Sequence, residues 1–172
     1  MLLTGIVLDR GHNFRYGILP KYEAVVARVL ERVLRKDAKV FIDAGAFHGY
    51  FTLQAYRLLR KKGGTIIALE PNPANFRKLV GNIPADGVIH AVRAALWVED
   101  NRPMEFLISG PDAGGCSMGG RLSSTKRSSH HEPEKGRTIL VDTVRLDTLI
   151  KKYELPTVDL VKMDIEGADT MC

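Results

Sequence analysis

Glycines and acidic side chains follow apolar segments of the chain at the points where those segments end. Asp43, Gly45 and Gly49 come after one such segment, and Glu70 ends the next. Glycine permits a tight turn that brings a ligand close to the backbone, and the N–H groups at a helix start attract anions. A carboxylate one strand away can accept hydrogen bonds from both hydroxyls of a ribose. The spacing indicates a nucleotide-type site, although Glu70 alone could equally be an exposed strand-end residue before a proline turn.

Two more carboxylates, Asp164 and Glu166, follow the apolar segment 158–163. Open parallel sheets bind ligands at the carboxyl ends of their strands, so these side chains could orient a substrate or take a proton from its hydroxyl. Asp164 could instead cap a short helix. His48 lies in the glycine turn and is a third candidate base, although a polar loop residue is its simpler interpretation.

Alternating helical and strand patterns position these residues. Apolar residues recur every three or four positions in the predicted helices, whereas short continuous apolar runs bounded by turn residues predict buried strands. The alternation predicts a parallel sheet with right-handed crossovers. The predicted helices span 21–36, 49–61, 73–82 and 146–152, and the predicted strands span 40–42, 65–69, 88–92 and 158–163.

Other segments depart from this rhythm. We expect two extra strands at 104–108 and 138–144, and between them a mobile loop at 109–136 that is rich in glycine, serine and basic residues. Trp97 and Phe106 are predicted to be packing residues rather than a platform for a sugar. The first helix is predicted to pack on the sheet through an apolar stripe formed by Val25, Val26, Val29, Leu30, Val33 and Leu34.

Length, charge and cysteine content indicate one globular domain. Residues 1–172 are interpreted as a single unit, with an N-terminal strand and helix in 1–38 and a cofactor-binding core in 39–168.

The net charge is +5, but Lys and Arg are scattered, which argues against nucleic-acid binding. No apolar run approaches the roughly 18–20 residues of a membrane span. Two cysteines without CxxC spacing, and no secretion signal at the start, indicate a cytoplasmic location.

The predicted loop also contains candidate metal ligands and a basic cluster. His130 and His131 stand beside Glu132 and Glu134. Adjacent histidines lack the spacing of a preformed metal site, so we expect no bound metal. The basic residues of the loop could recognise an acidic acceptor or remain solvated.

Four motifs, taken together, resemble the FkbM-type methyltransferases in order and spacing. They are Phe41–Ala46, Ile67–Asn72, Val144–Leu149 and Val161–Gly167, and the resemblance covers residues 21–168. Each motif alone is common, whereas their combination is specific. The resemblance implies an α/β class I methyltransferase fold, which is Rossmann-like, with a mostly parallel sheet and helices on both faces. It also implies S-adenosylmethionine as methyl donor and a hydroxyl acceptor on a sugar, glycan or natural-product-type small molecule.

The resemblance matches Asp164 and Glu166 with the paired acids of the family's fourth strand. Because a hydroxyl acceptor benefits from a general base, Asp164 is our first candidate for that base, Glu166 the second and His48 the third. Phe47 and His48 depart from the small residues expected in the first motif, and no carboxylate stands near 93–95, where the adenine would lie. Cofactor binding falls to Asp43, Gly45, Ala46, Gly49, Glu70 and Asn72.

The family's fold normally has seven strands, whereas this sequence ends eight residues after Asp164. We therefore expect the last strands to be missing and the fourth strand to form an exposed edge through which the chain could self-associate. A truncated, non-catalytic cofactor-binding remnant is one alternative. A NAD-dependent oxidoreductase is a second, but residues 45–49 do not form GxGxxG, and the proline-flanked Glu70 fits the methyltransferase pattern better.

Overall fold

Four parallel strands form the central sheet in a computed structural model of the chain, which describes residues 21–109, 120–122 and 136–165. The described elements are α1 (Lys21–Leu34), β1 (Val40–Ala44), α2 (Tyr50–Leu59), a 3-10 turn (Arg60–Lys62), β2 (Thr65–Leu69), α3 (Pro73–Asn82), β3 (Ile89–Val92), β4 (Ala95–Leu96), β5 (Met104–Ser109), β6 (Gly120–Leu122), β7 (Gly136–Val141), β8 (Thr143–Val144), α4 (Leu146–Lys152) and β9 (Leu160–Met163).

The strand order β3-β2-β1-β9 places β1 inside the sheet, between the two strands that end in acidic residues. All three pairings are parallel, so the carboxyl ends of these strands meet along one end of the sheet. The predicted α/β class and the parallel alternation are confirmed. Asp159 fixes the start of β9 against β1, because its carboxylate accepts the backbone N–H groups of Lys39 at 2.7 Å and Val40 at 2.8 Å. These hydrogen bonds also lower the pKa of the Asp159 carboxyl.

Helices cover both faces of the central sheet because successive residues of a strand point to opposite sides. Phe41 of β1 packs into a core with helices α1, α2 and α3. Ile42, its neighbour, lies in the other core, which includes Leu149 of α4. Both side chains are fully buried. The position of Asp43 after Ile42 therefore turns its carboxylate toward the α1–α3 face.

A separate three-stranded antiparallel sheet, in the order β6-β5-β7, carries a third core. Trp97 and Phe106 lie in this core and are 5% and 7% exposed, which confirms that they are packing residues. Ile165, just after β9, packs against both this core and the core beneath α4. The antiparallel sheet β6-β5-β7 thereby packs against the segment that follows β9.

Several predictions of local structure require correction. Within the predicted apolar stripe of α1, Leu30 and Leu34 are buried, whereas Val25 and Val29 are more than half exposed. The predicted stripe is therefore too wide. The predicted strand 138–144 is divided between β7 and β8, which belong to different sheets.

The predicted mobile loop also contains a strand, because Gly120–Leu122 pairs with β5. The rest of that loop, its histidines, and the predicted N-terminal strand lie outside the described residues. Among the helices that are described, none is long and apolar enough to span a membrane.

Candidate functional site

The segment Asp43–Gly49, here called the elbow, turns sharply between β1 and α2. Gly45, Phe47 and Gly49 all adopt left-handed backbone conformations, with φ of 78°, 54° and 93°. The N–H groups of Gly45 and Ala46 both donate to the carbonyl of Leu69, at 3.0 and 2.8 Å. The end of β2 therefore fixes the path of the elbow, and the predicted convergence of the elbow with Glu70 is present in the structure.

Both elbow glycines are required by neighbouring protein groups. A Cβ on Gly45 would overlap the backbone carbonyl oxygen of Asp164, and a Cβ on Gly49 would lie 2.8 Å from a methyl group of Leu79. The sequence analysis attributed these glycines to the turn and to close approach by a ligand. The structure confirms the turn, and it shows that the segment after β9 and helix α3 occupy the space that side chains would need.

Glu70 is a buried carboxylate at the end of β2, only 5% exposed. One of its oxygens accepts the N–H of Phe47 and the other accepts the N–H of Asn72, each at 2.9 Å. Burial raises the pKa of the Glu70 carboxyl to about 7, although those two hydrogen bonds act in the opposite direction. The Asn75 side chain also hydrogen-bonds to this carboxyl, so protein donors take three of its roughly four acceptor positions. The alternative that Glu70 is an exposed strand-end residue is wrong.

Asp43 is fully buried and forms the base of the elbow. Its Oδ2 accepts a hydrogen bond from the Thr52 hydroxyl at 2.6 Å, and its Oδ1 accepts one from the Lys162 ammonium at 3.2 Å. These bonds direct both oxygens toward protein groups. Asp43 thus supports the turn from below, and a cofactor above the elbow would meet backbone rather than this side chain.

Asp164 and Glu166 follow the end of β9. The backbone N–H of Asp164 donates to the carbonyl of Ala44 at 3.0 Å, which extends the pairing of β9 with β1. The Asp164 side chain is 67% exposed, with one oxygen 3.8 Å from the Lys162 ammonium. It is therefore available to a second substrate beside the elbow. Glu166 lies outside the described residues.

His48 lies in the turn, as predicted, and its side chain is fully buried there. The imidazole stacks on Phe47 with ring centroids 3.7 Å apart, and its Nε2 lies 3.3 Å from the side-chain oxygen of Asn75. These contacts place the ring against α3, away from Asp164. Such a position argues against His48 as the base that accepts a proton from a substrate.

Asn72 and Ala46 act through local structure. The Asn72 side chain accepts the N–H of Ala74 at 2.9 Å and thereby caps α3, whose first residue is Pro73 as predicted. Asn72 is only 2% exposed, and its own N–H holds Glu70. Ala46 is 5% exposed and is fixed to β2 by its backbone.

Lys162 and Thr52 are the site residues that the sequence analysis did not assign. A lysine within the apolar run of β9 was the available signal, because a buried ammonium requires a nearby anion. The predicted fourth motif contains Lys162, but spacing alone does not identify Asp43, 119 residues earlier, as its partner. Within the described ranges, no group of three or more His, Cys, Asp or Glu residues is placed to hold a metal ion.

The glycine requirement at the elbow can be measured with a matched pair of variants. Gly45→Ala combines left-handed strain with overlap against a backbone carbonyl, so we expect it to lower the free energy of unfolding by about 3 kcal/mol. Gly63→Ala has a similar φ of 64° with open space around it, and we expect a loss of about 1 kcal/mol. Urea unfolding measures both values, and equal losses would contradict the proposed contact with Asp164.

The raised pKa of Glu70 predicts a pH-dependent stability. Because the pKa is higher in the folded chain than its ordinary value of 4.5, the protonated form favours folding. That contribution is fully present below pH 4.5 and is lost as the pH rises through about 7, a change of about 3 kcal/mol.

Glu70→Gln removes this titration, while the loss of one acceptor adds a constant cost. We expect the free energy of unfolding of the wild type to fall by about 3 kcal/mol relative to that of the variant as the pH rises from 4.5 to 8. Parallel curves from urea unfolding would show that Glu70 does not titrate in this range.

Comparison with known families adds an independent finding to this geometry. The family model of the methyltransferase FkbM domain matches residues 43–172, which include the elbow, Glu70 and the acidic segment after β9. A comparison with curated proteins finds no match. The family match covers most of the chain and begins at Asp43, the first residue of the elbow. This chain therefore belongs to the FkbM methyltransferase domain family.

Proposed function

We propose that this chain binds S-adenosylmethionine at the elbow and catalyses O-methylation of a hydroxyl on a sugar, glycan or natural-product-type acceptor. The observation that carries the proposal is the buried Glu70 carboxylate beside the glycine turn, at the carboxyl end of a parallel sheet. Membership of a methyltransferase family supports the reaction class. The donor is argued from the side chains at the elbow, whereas the acceptor class is what the resemblance to the family implies.

The residues at the elbow fit an adenosyl cofactor. The Glu70 carboxylate keeps acceptor capacity for a ribose hydroxyl, and burial makes hydrogen bonds to it stronger than they would be in water. The start of α2, at Tyr50, directs N–H groups and the positive end of the helix dipole toward the place where a carboxylate would lie. When bound, S-adenosylmethionine supplies a methyl group on a positively charged sulfur.

On the acceptor side, the protein has to align a hydroxyl and receive its proton. Asp164 suits this role because it is exposed, follows β9 directly and lies against the elbow through its own backbone. Positioning accounts for most of the catalysis expected here, and a general base contributes roughly 10²–10⁴-fold. We assign the base to Asp164, with Glu166 as the second candidate.

Cofactor affinity is expected to follow the ionisation of Glu70. Ribose hydroxyls donate hydrogen bonds, so they favour the carboxylate over the carboxylic acid. We expect the Kd of S-adenosylhomocysteine to fall about tenfold per pH unit between pH 5 and 7 and then to level off. Calorimetric titration measures this profile. Glu70→Gln should bind at least tenfold more weakly at pH 8 and show no such slope, whereas saturable binding of NAD alone would support the oxidoreductase alternative.

Methyl transfer distinguishes an active enzyme from a cofactor-binding remnant. Radiolabelled S-adenosylmethionine and a panel of sugars, polyols and hydroxylated aromatic compounds provide the assay. We expect transfer to at least one acceptor, with Asp164→Asn lowering the turnover about 10²-fold. Asp142→Asn, at an exposed position between β7 and β8, serves as control and should retain activity. Binding of S-adenosylhomocysteine without transfer to any acceptor would favour the remnant.

A further inference from the structure

Lys162 occupies an unusual position for a lysine, because its side chain is only 12% exposed. It belongs to β9, and its register partner on β1 is Asp43. The ammonium lies 3.2 Å from the Asp43 carboxylate and 3.3 Å from the carbonyl oxygen of Gly45. It also sits 5.1 Å from the centre of the Phe51 ring on α2. One charged group thus contacts the first and third residues of the elbow and the helix that follows it.

Charge compensation explains only part of this arrangement. A fully buried Asp43 carboxylate requires a cation, and Lys162 supplies it. The bond to the Gly45 carbonyl has a different consequence, since that oxygen is neutral and belongs to the left-handed residue at which the chain reverses. A donor there holds the peptide plane of Gly45 in one orientation.

The same ammonium reaches the other side of the site. The Asp164 carboxylate lies 3.8 Å away and is 67% exposed. Lys162 and Asp164 lie two residues apart at the end of β9, so this contact is local to β9, whereas the bonds to Asp43 and Gly45 connect β9 with the elbow. The charge on Lys162 therefore joins the turn of β1 to the acidic end of β9.

We infer that Lys162 is a positioning residue: through its bonds to Asp43 and Gly45 it holds the elbow in the conformation that binds the cofactor. This inference rests on the proposed function, since it takes the elbow to be the S-adenosylmethionine site. Part of the affinity for the cofactor thus comes from a side chain that does not contact the cofactor.

The test separates positioning from charge compensation. Lys162→Met alone leaves an unpaired buried carboxylate, so the informative protein is the double variant Lys162→Met with Asp43→Asn. This variant removes both charges, keeps a side chain over Phe51 and retains an acceptor for Thr52. Lys61→Met, an exposed lysine in the 3-10 turn, is the matched control. The readouts are the thermal midpoint and the Kd of S-adenosylhomocysteine measured by calorimetry.

We expect the double variant to unfold near the wild-type temperature and to bind S-adenosylhomocysteine at least tenfold more weakly, while Lys162→Arg, which keeps a cation at the same place, stays within about threefold. Amide exchange at Gly45 and Ala46 should quicken at least tenfold. A stable double variant with wild-type affinity and unchanged exchange overturns the inference, because charge compensation would then be the whole role of Lys162.

A measurement on the unmodified chain covers the case in which the double variant does not fold. The Lys162 ammonium gives its own ¹H–¹⁵N signal when it is held by hydrogen bonds. We expect this signal and the Phe47 amide to shift together as S-adenosylhomocysteine is added, with one saturation curve. A shift at Phe47 without one at Lys162 overturns the inference. Absence of any binding refutes the proposed function instead, and amide exchange at the elbow then decides the role of Lys162.

Discussion

A carboxylate that is completely removed from water lies at the centre of this molecule. Asp43 sits at the end of an inner strand, where the chain must stop being a strand and become a helix within six residues. Its two oxygens are met by one side chain from the helix that follows and one from the neighbouring strand. A buried ion pair of this kind contributes little net stability compared with apolar packing. Its effect is to fix which backbone path the turn takes.

The remaining parts of the site depend on that path. With the turn fixed, two consecutive N–H groups meet the carbonyl of Leu69, and the next N–H meets the carboxylate of Glu70. The same path leaves no space for a side chain at Gly45, because the pairing of β9 with β1 continues through Asp164, whose carbonyl oxygen lies against Gly45. Two acids with opposite environments result: Glu70 is buried and hard to ionise, whereas Asp164 is open to solvent. Such a contrast suits one group for holding a ligand and the other for exchanging a proton.

The family match includes the elbow, Glu70 and Asp164. The structure shows that some of the motif residues have a folding role. Among the four motif segments, Val144–Leu149 contributes to folding: the Asp100 carboxylate accepts the N–H of Arg145 and the hydroxyl of Thr148, and so organises the start of α4. Asn72 caps α3 in a similar way. A motif residue can therefore recur in a family because it builds the frame around a site.

The sequence by itself determined the order of the helices and of the strands in the central sheet, the parallel pairing of those strands, and the candidate site at the carboxyl ends of β1, β2 and β9 with Gly45 and Glu70 in it. These are local or periodic signals, because apolar period, glycine and proline act over a few residues. Tertiary structure decided which side chains of the site are buried and which are exposed to solvent. Lys162 could be matched to Asp43, and His48 found buried, only after strands far apart in the chain had paired. Burial is a property of the packed layers, and at this site it raises the pKa of the Glu70 carboxyl.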